Sequence, residues 1–329
     1  MINSTSKIKS VTVKIKTDRP VQKTPYQVKG VLMKNFPNEE IVPMLNGSYR
    51  KKFLYPRIQV KTHNDEILLV GLNQGVDPIL KIYDKIKDLN FGDITFEALE
   101  KSVEESEESF LFTSTLHKYN FISNWVALNQ NTSKQYSAKN SEDRLQYLNN
   151  LVAKNIVFIS REIGFDLPEN IYSKINVSSL KPIKLDQNGW GAFEGEFFTN
   201  LILPNYIGIG NGITRGYGTI TAEEIKGRPD FIKEEFDELK SKSDDSKFCL
   251  DEDNLTSSLL EVDISAIQRS NLRRNKNKKK KQHLSKKKKR ANTKPSVNRS
   301  KNDDKSKDKS NEPINYNSYE YHKKQHSIR

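Results

Sequence analysis

The sequence predicts an α+β protein: two small mixed domains in tandem, then a long basic tail. Three observations carry this expectation. From Ile8 to Ala98 the apolar residues follow strand and helix periods in the order strand, helix, strand, strand, helix, strand. A second group of strands surrounds one long amphipathic helix between Phe110 and Thr221. After Pro229 the apolar period fails, and Lys, Asn, Ser and Asp dominate.

Each element has a local reason. Residues 8–15 alternate, with Val11, Val13 and Ile15 on one face and Thr12, Lys14 and Lys16 on the other, as in a half-buried strand. Pro20 and Pro25 punctuate its exit, and Val28, Val31 and Leu32 mark a short helix over residues 26–34. Pro37, Pro43 and Asn46-Gly47 predict a loop. Strands follow at 53–61 and 66–72, joined by a turn at 62–65. Val76, Ile79, Leu80, Tyr83 and Ile86 share one helical face, and Ile94, Phe96 and Ala98 return to strand alternation. This order is the ferredoxin-like split βαβ pattern. Residues 100–108 are acidic with no apolar period, so the first domain is expected at 1–107.

In the second half, 110–115 reads as a strand and 121–128 as an apolar segment around Trp125. Ser141 with Glu142 and Asp143 opens the clearest helix, whose face is Leu145, Leu148, Val152, Ile156, Ile159 and Ile163, with Gly164 as its stop. Strands are expected at 175–183, 191–203 and 217–221, which makes 108–227 a second small α+β domain. Phe231, Ile232, Phe236 and Leu239 allow one short helix, and 255–267 another that could bind a partner. The rest of 228–329 has a composition that cannot offset the ordering entropy and is expected to be disordered.

Composition narrows the function classes. At 34% hydrophobic and 29% charged residues, the 329-residue chain is too polar to be folded throughout. No stretch approaches a membrane span, and no apolar leader is present, so a cytoplasmic protein with no membrane partner is expected. A single cysteine, Cys249, rules out an internal disulfide and a cysteine-based zinc site; five scattered histidines give no ligand spacing. No metal or cofactor is expected. The net charge of +13 has one source: Arg269 to Arg290 holds 13 basic residues and no acidic ones. Removing them from the 55 Lys and Arg leaves 42, equal to the 42 Asp and Glu. Such a tail suits sequence-independent RNA affinity, the favoured reading; a nuclear signal and an adventitious extension are the alternatives.

One stretch stands apart. Five of the fifteen glycines, Gly208, Gly210, Gly212, Gly216 and Gly218, fall within eleven positions around Arg215. Glycine permits positive φ and close approach of a ligand. The spacing matches neither the dinucleotide fingerprint nor the P-loop. It fits a phosphate cradle of another type or a tight hairpin.

The chain as a whole resembles the CRISPR-associated repeat-processing endoribonucleases of the Cas-six type, b subtype, within the RAMP superfamily. The likeness is carried by Val28-Lys29-Gly30-Val31-Leu32, Phe53-Leu54-Tyr55-Pro56-Arg57, Val70-Gly71-Leu72-Asn73-Gln74-Gly75, Trp125-Val126-Ala127-Leu128-Asn129, Leu203-Pro204-Asn205-Tyr206-Ile207-Gly208 and Thr214-Arg215-Gly216-Tyr217-Gly218, over about residues 8–225. The resemblance implies two tandem ferredoxin-like domains that bind CRISPR repeat RNA and take part in antiviral defence. It also implies metal-independent cleavage of precursor RNA through attack by a 2′-hydroxyl, leaving a 2′,3′-cyclic phosphate. Further subunits of an interference complex, and a second copy of the chain, are expected partners. The family's usual histidines fall on Pro43 and Leu45 here, and no histidine lies between Met1 and Thr62. A catalytically silent repeat-binding relative is therefore the alternative.

The candidate site residues follow. Tyr49, Lys51 and Lys52 precede the aromatic-Pro segment, where the resemblance implies catalysis, with Tyr26 as a second proton-transfer candidate. By resemblance, Gly208, Gly210, Gly212, Arg215, Gly216 and Gly218 contact the RNA backbone; Lys34, Arg50 and Arg57 join the basic residues along its path. His63 reads as a turn histidine and His117 as a structural one near the second domain's start. Trp125 and Trp190 read as core.

Overall fold

The computed structural model describes residues 7–167, 170–185, 191–223, 255–264 and 267. All described elements lie in one unit, Met1–Ile264; the other unit, Ser265–Arg329, is described only at Ile267. The expected helix around Phe231 to Leu239, Trp190 and the lysine-rich tail fall outside the described residues.

The first sheet is antiparallel throughout. It contains β1 (Ser10–Thr17), β2 (Ile58–His63), β3 (Glu66–Leu72), β4 (Asp88–Asn90) and β5 (Thr95–Ser106), in the order β2-β3-β1-β5-β4. Helix α1 (Pro25–Asn35) follows β1, and α3 (Val76–Tyr83) follows β3, with the short α2 (Ile41–Leu45) between α1 and β2. Apart from β4, this is the expected ferredoxin-like arrangement. Local chemistry sets the ends. Thr24 and Gln27 form a reciprocal capping box, and Pro25 supplies the helical φ of the first turn. The β2–β3 hairpin turns on Asn64 and Asp65, with φ of +49° and +63°, as a tight two-residue turn of matching twist requires.

Three expectations in this domain are corrected. The loop predicted through Pro43 contains α2, because Ile41 and Leu45 bury together and Pro43 lies in the first turn, whose N–H groups need no helical partner. The strand expected from Phe53 begins at Ile58; residues 53–57 form a loop that drops Tyr55 into the interior. The acidic stretch at 100–108 is strand as far as Ser106. Its glutamates meet lysines flanking or on β1: Lys16–Glu100 at 3.5 Å, Lys14–Glu104 at 2.6 Å and Lys9–Glu107 at 3.3 Å. Charge alternation across the pair replaced the apolar signal.

The second sheet repeats the plan. β6 (Leu111–Phe121), β8 (Ile171–Val177), β11 (Gly195–Ile202) and β12 (Ile220–Ala222) run in the order β12-β6-β11-β8, with α5 (Ser141–Ile163) against β8. Where the ferredoxin-like pattern has a second helix, between β11 and β12, this chain has the glycine stretch. β7 (Trp125–Leu128), β9 (Ile183–Lys184) and β10 (Gly191–Phe193) form a small sheet, and α4 (Gln130–Ser137) leads into α5. Asn140, one residue before the expected start, caps α5 through the Asp143 amide, and Gly164 ends it at φ +82°. Every apolar position expected on its face is buried. Trp125 is fully buried and stacks on Phe121 at 5.3 Å, a core residue as read.

The helix expected at 255–267 is not seen over its first half. β13 (Leu255–Thr256) and β14 (Leu260–Val262) instead extend the second sheet along β8, and Asn149 ties them down by donating to the Ser173 and Ser258 carbonyls. The exposed edge of β8 offered backbone groups that needed partners. Among the described residues no helix is long and apolar enough to cross a membrane.

The first sheet is buried on both faces. Val11, Val13, Ile15, Ile58, Val60, Ile67 and Leu69 pack beneath the helices. Ser10, Thr12, Gln59, Lys61, Leu68 and Val70, on the opposite face, are buried as well. The second domain covers them.

Candidate nucleic-acid interface

The glycine stretch docks on the first domain through three residues around the start of β2. The Tyr55 hydroxyl donates to the Gly208 carbonyl at 2.9 Å, and the Gly208 amide donates to Gln59 Oε1 at 2.8 Å. Lys61 reaches toward the Ile213 carbonyl at 3.4 Å. Burial pushes the Tyr55 phenol up, so it stays a hydrogen-bond donor.

The glycines serve turns and close packing. Gly212 and Gly216, at φ +73° and +93°, bracket the 3-10 turn Ile213–Arg215. A Cβ on Gly216 would come 2.6 Å from Pro25 Cγ, so the turn rests against the start of α1. Gly210 packs on the Trp125 indole, where a Cβ would come within 2.8 Å of Nε1. The amides of Ile209, Asn211, Arg215, Gly216 and Gly218 all donate to carbonyls. The stretch is therefore a braced hairpin that presents Arg215, and its amides are mostly spent within the fold.

Arg215 arrives beside cations from the first domain. Burial first, then the charges of Arg215 and Arg50, push the Lys29 ammonium down to about 8. Lys29 is 6% exposed and lies over the Tyr26 ring, 4.8 Å from its centroid. Among the described residues, no ion pair is made by Lys29, Arg50 or Lys61. Cations from α1, from the 3-10 turn Ser48–Lys51 and from the glycine turn thus converge with no carboxylate paired to Lys29 or Arg50. Such a cluster is costly alone and favourable around an anion.

The other candidates are distributed unevenly. Arg50 belongs to the cluster. Lys51 and Lys52 are exposed beside it, and Lys52 lies over the rings of Tyr49 and Phe53 at 5.3 and 5.2 Å. Arg57 is a correction. It is 6% exposed and donates to Gln74, to the Tyr55 carbonyl and to the Glu162 carbonyl at the end of α5, so it braces the domains and does not line a path for RNA. Asn73 does the same job, donating to the Ile163 carbonyl at 2.8 Å. His63 ends β2 with its ring 6.3 Å from that of Tyr206. His117 lies on β6, with Nε2 2.9 Å from Thr113 Oγ1, and lines a different cavity. Lys29 and Lys61 were missed as a pair. Lys29 could have been found inside the Val28–Leu32 motif, whereas the alternation of β2 marks Lys61 as solvent-facing.

Comparison with known proteins agrees with this architecture. Residues 6–109 match the Cas6b N-terminal domain and residues 111–223 the Cas6b C-terminal domain. A crystal structure of Cas6b superimposes with a TM-score of 0.56 at 26% identity, covering 66% of this chain and 99% of that one. A structure described as the CRISPR RNA processing endoribonuclease Cas6b gives 0.49 at 24% identity, covering 66% and 100%. An uncharacterized protein of Methanocaldococcus jannaschii is 26% identical over 139 residues, which span 42% of this chain and 95% of its own.

Proposed function

The chain belongs to the Cas6b family, and on that premise we propose that it binds CRISPR repeat RNA across the two domains and cleaves precursor CRISPR RNA without a metal. The observation that carries this reading is the convergence of Lys29, Arg50 and Arg215. A phosphate of the RNA backbone supplies a countercharge to Lys29 and Arg50, and the guanidinium of Arg215 suits bidentate contact with it.

The chemistry needs few groups. The 2′-oxygen upstream of the cut attacks phosphorus, the bond to the 5′-oxygen breaks, and a 2′,3′-cyclic phosphate and a 5′-hydroxyl result. One group accepts the 2′ proton and another protonates the leaving oxygen. With its ammonium held near 8, Lys29 is available in both forms around neutral pH and serves as the acceptor. Tyr26, against which it packs, is the donor. Arg50 and Arg215 stabilise the charge on the pentacoordinate phosphorus. Tyr49, Lys51 and Lys52, on and just after the adjoining 3-10 turn, hold the flanking strand and offer a second phenol and amine close to the cut. The domains 1–107 and 108–227 each supply part of this seat, and the basic tail adds salt-sensitive affinity.

A second reading is favoured by one observation. The positions of the family histidines are Pro43 and Leu45, both inside α2, with Leu45 buried. A repeat-binding protein that does not cut would look the same. Incubation with labelled repeat RNA in EDTA, beside RNA carrying a 2′-deoxy substitution at the cut, separates the two. Cleavage of the unmodified RNA alone supports the nuclease; tight binding with neither RNA cut leaves the silent relative.

A further inference from the structure

Lys61 has no place in that chemistry. It lies on β2 with 1% of its surface exposed, directly beneath the second domain's turn. Its ammonium is 3.4 Å from the Ile213 carbonyl. A Cβ on Gly208 would come within 2.9 Å of Nζ, so the glycine leaves the room that the ammonium fills. Arg215 follows Ile213 by two positions on the same 3-10 turn. The titratable and charged groups on the elements around Lys61 include Tyr26, Lys29 and Lys34 on α1, Arg215 on the turn, Tyr55 ahead of β2, His63, Lys14 and Glu66 on the sheet face, and Tyr206 against His63 and Lys14. The Glu66 carboxylate acts on Lys14. Burial alone pushes Lys61 down to about 7, so no neighbouring charge compensates it.

We propose, building on the RNA reading above, that Lys61 is a positioning residue: an interdomain prop that sets the Ile213–Arg215 turn over the cleft and takes up a proton when RNA binds. A neutral amine still donates one N–H to Ile213, so the turn stays braced in the free protein. A phosphate arriving at Arg215 brings negative charge toward the buried amine and favours its ammonium form. Binding then consumes a proton, and affinity falls as pH rises above the free protein's value. The sign for folding is opposite. The folded value lies below the ordinary lysine value, so the folded state gains stability as pH rises from about 7 toward about 10.5.

Two measurements on the full chain decide the matter: binding of labelled repeat RNA and thermal melts without RNA, each from about pH 6 to about pH 9 at fixed ionic strength. For the wild type we expect affinity to fall by up to about tenfold per pH unit above about pH 7, the limit for one coupled proton. Lys61→Met keeps most of the side chain's length and removes the titration. It should bind more weakly at the acid end and show a shallower binding slope and a smaller alkaline rise in Tm than the wild type, the remainder coming from Lys29. Gly208→Ala, which also crowds the Ile213 side chain at 2.6 Å, should weaken binding without altering any charge. Superposable pH profiles for wild type and Lys61→Met, in both measurements, would overturn the proposal. Absence of RNA binding by the wild type at every pH sinks the repeat-RNA reading and the proton-linked half with it. In that case the melts still decide whether Lys61 is a titrating prop.

Discussion

The first sheet meets the second domain at two places of opposite charge. On the β2 side, Lys29, Arg50 and Arg215 gather, with no carboxylate paired to Lys29 or Arg50 among the described residues, and Lys61 is buried under the Ile213–Arg215 turn. On the β1 and β5 side lies a cavity of about 390 Å³, whose wall includes Glu104, Glu105, Glu108, His117 and Glu223. There, Lys118 is held between Glu196 at 2.9 Å and Glu223 at 2.8 Å. Both places lie where strand faces are covered by the other domain, yet their charge is handled differently. In the second, Glu104, Glu108 and Glu223 are paired with Lys14, Lys7 and Lys118, and its histidine is engaged by Thr113 and Thr115 hydroxyls at 2.9 and 3.2 Å. Residue type alone would have favoured the histidine as a site for RNA chemistry. Charge around it argues the reverse.

That contrast can be broken experimentally, starting with the change expected to matter most. Gly218→Ala puts a Cβ 1.9 Å from the Ile209 carbonyl at φ +64°, a backbone clash that cannot relax. It should cost about 3–5 kcal/mol in chemical denaturation and dismantle the turn that presents Arg215. Arg215→Ala should leave the protein folded and weaken repeat RNA binding by about 10- to 100-fold, as for loss of a charge-assisted phosphate contact. Unchanged affinity there would remove the cleft from RNA binding. His117→Gln, in the acidic cavity, should cost about 1–2 kcal/mol of stability through its lost hydroxyl contacts and shift RNA affinity by less than about twofold. A tenfold loss of affinity would show that the two places are not functionally distinct. Glu105→Gln is expected to do least: a rise in affinity under about twofold at low salt, vanishing as salt screens the field.

Legibility in the sequence followed the range of the interactions. The α5 helix was readable because its apolar face, its acidic first turn and Gly164 all lie within one segment. The β2–β3 turn was readable for the same reason, since Asn64 and Asp65 carry the chemistry of their own φ values. The far half of β5 was not. Its glutamates make sense only opposite lysines some ninety residues earlier, Lys14 with Glu104 among them. The strands at 255–262 were misread as a helix because their partner is the edge of β8, which no local period announces.

The same division runs through the site. The sequence by itself determined the two ferredoxin-like repeats, the glycine turn with Arg215 at its tip, and the family to which their order belongs. Those depend on backbone conformation and on burial of one face per element, both written in neighbouring residues. Only the tertiary structure decided what the polar face of β2 does. Alternation assigns Gln59 and Lys61 to solvent; the second domain buries both, about 150 residues away in the chain, and sets Gly208 and Ile213 against them. It likewise turned Arg57 from an RNA contact into a brace at the end of α5. Whether a cation is solvated, spent on a carbonyl or held ready for a phosphate depends on what packs against it, and that is settled when the two domains close on one sheet.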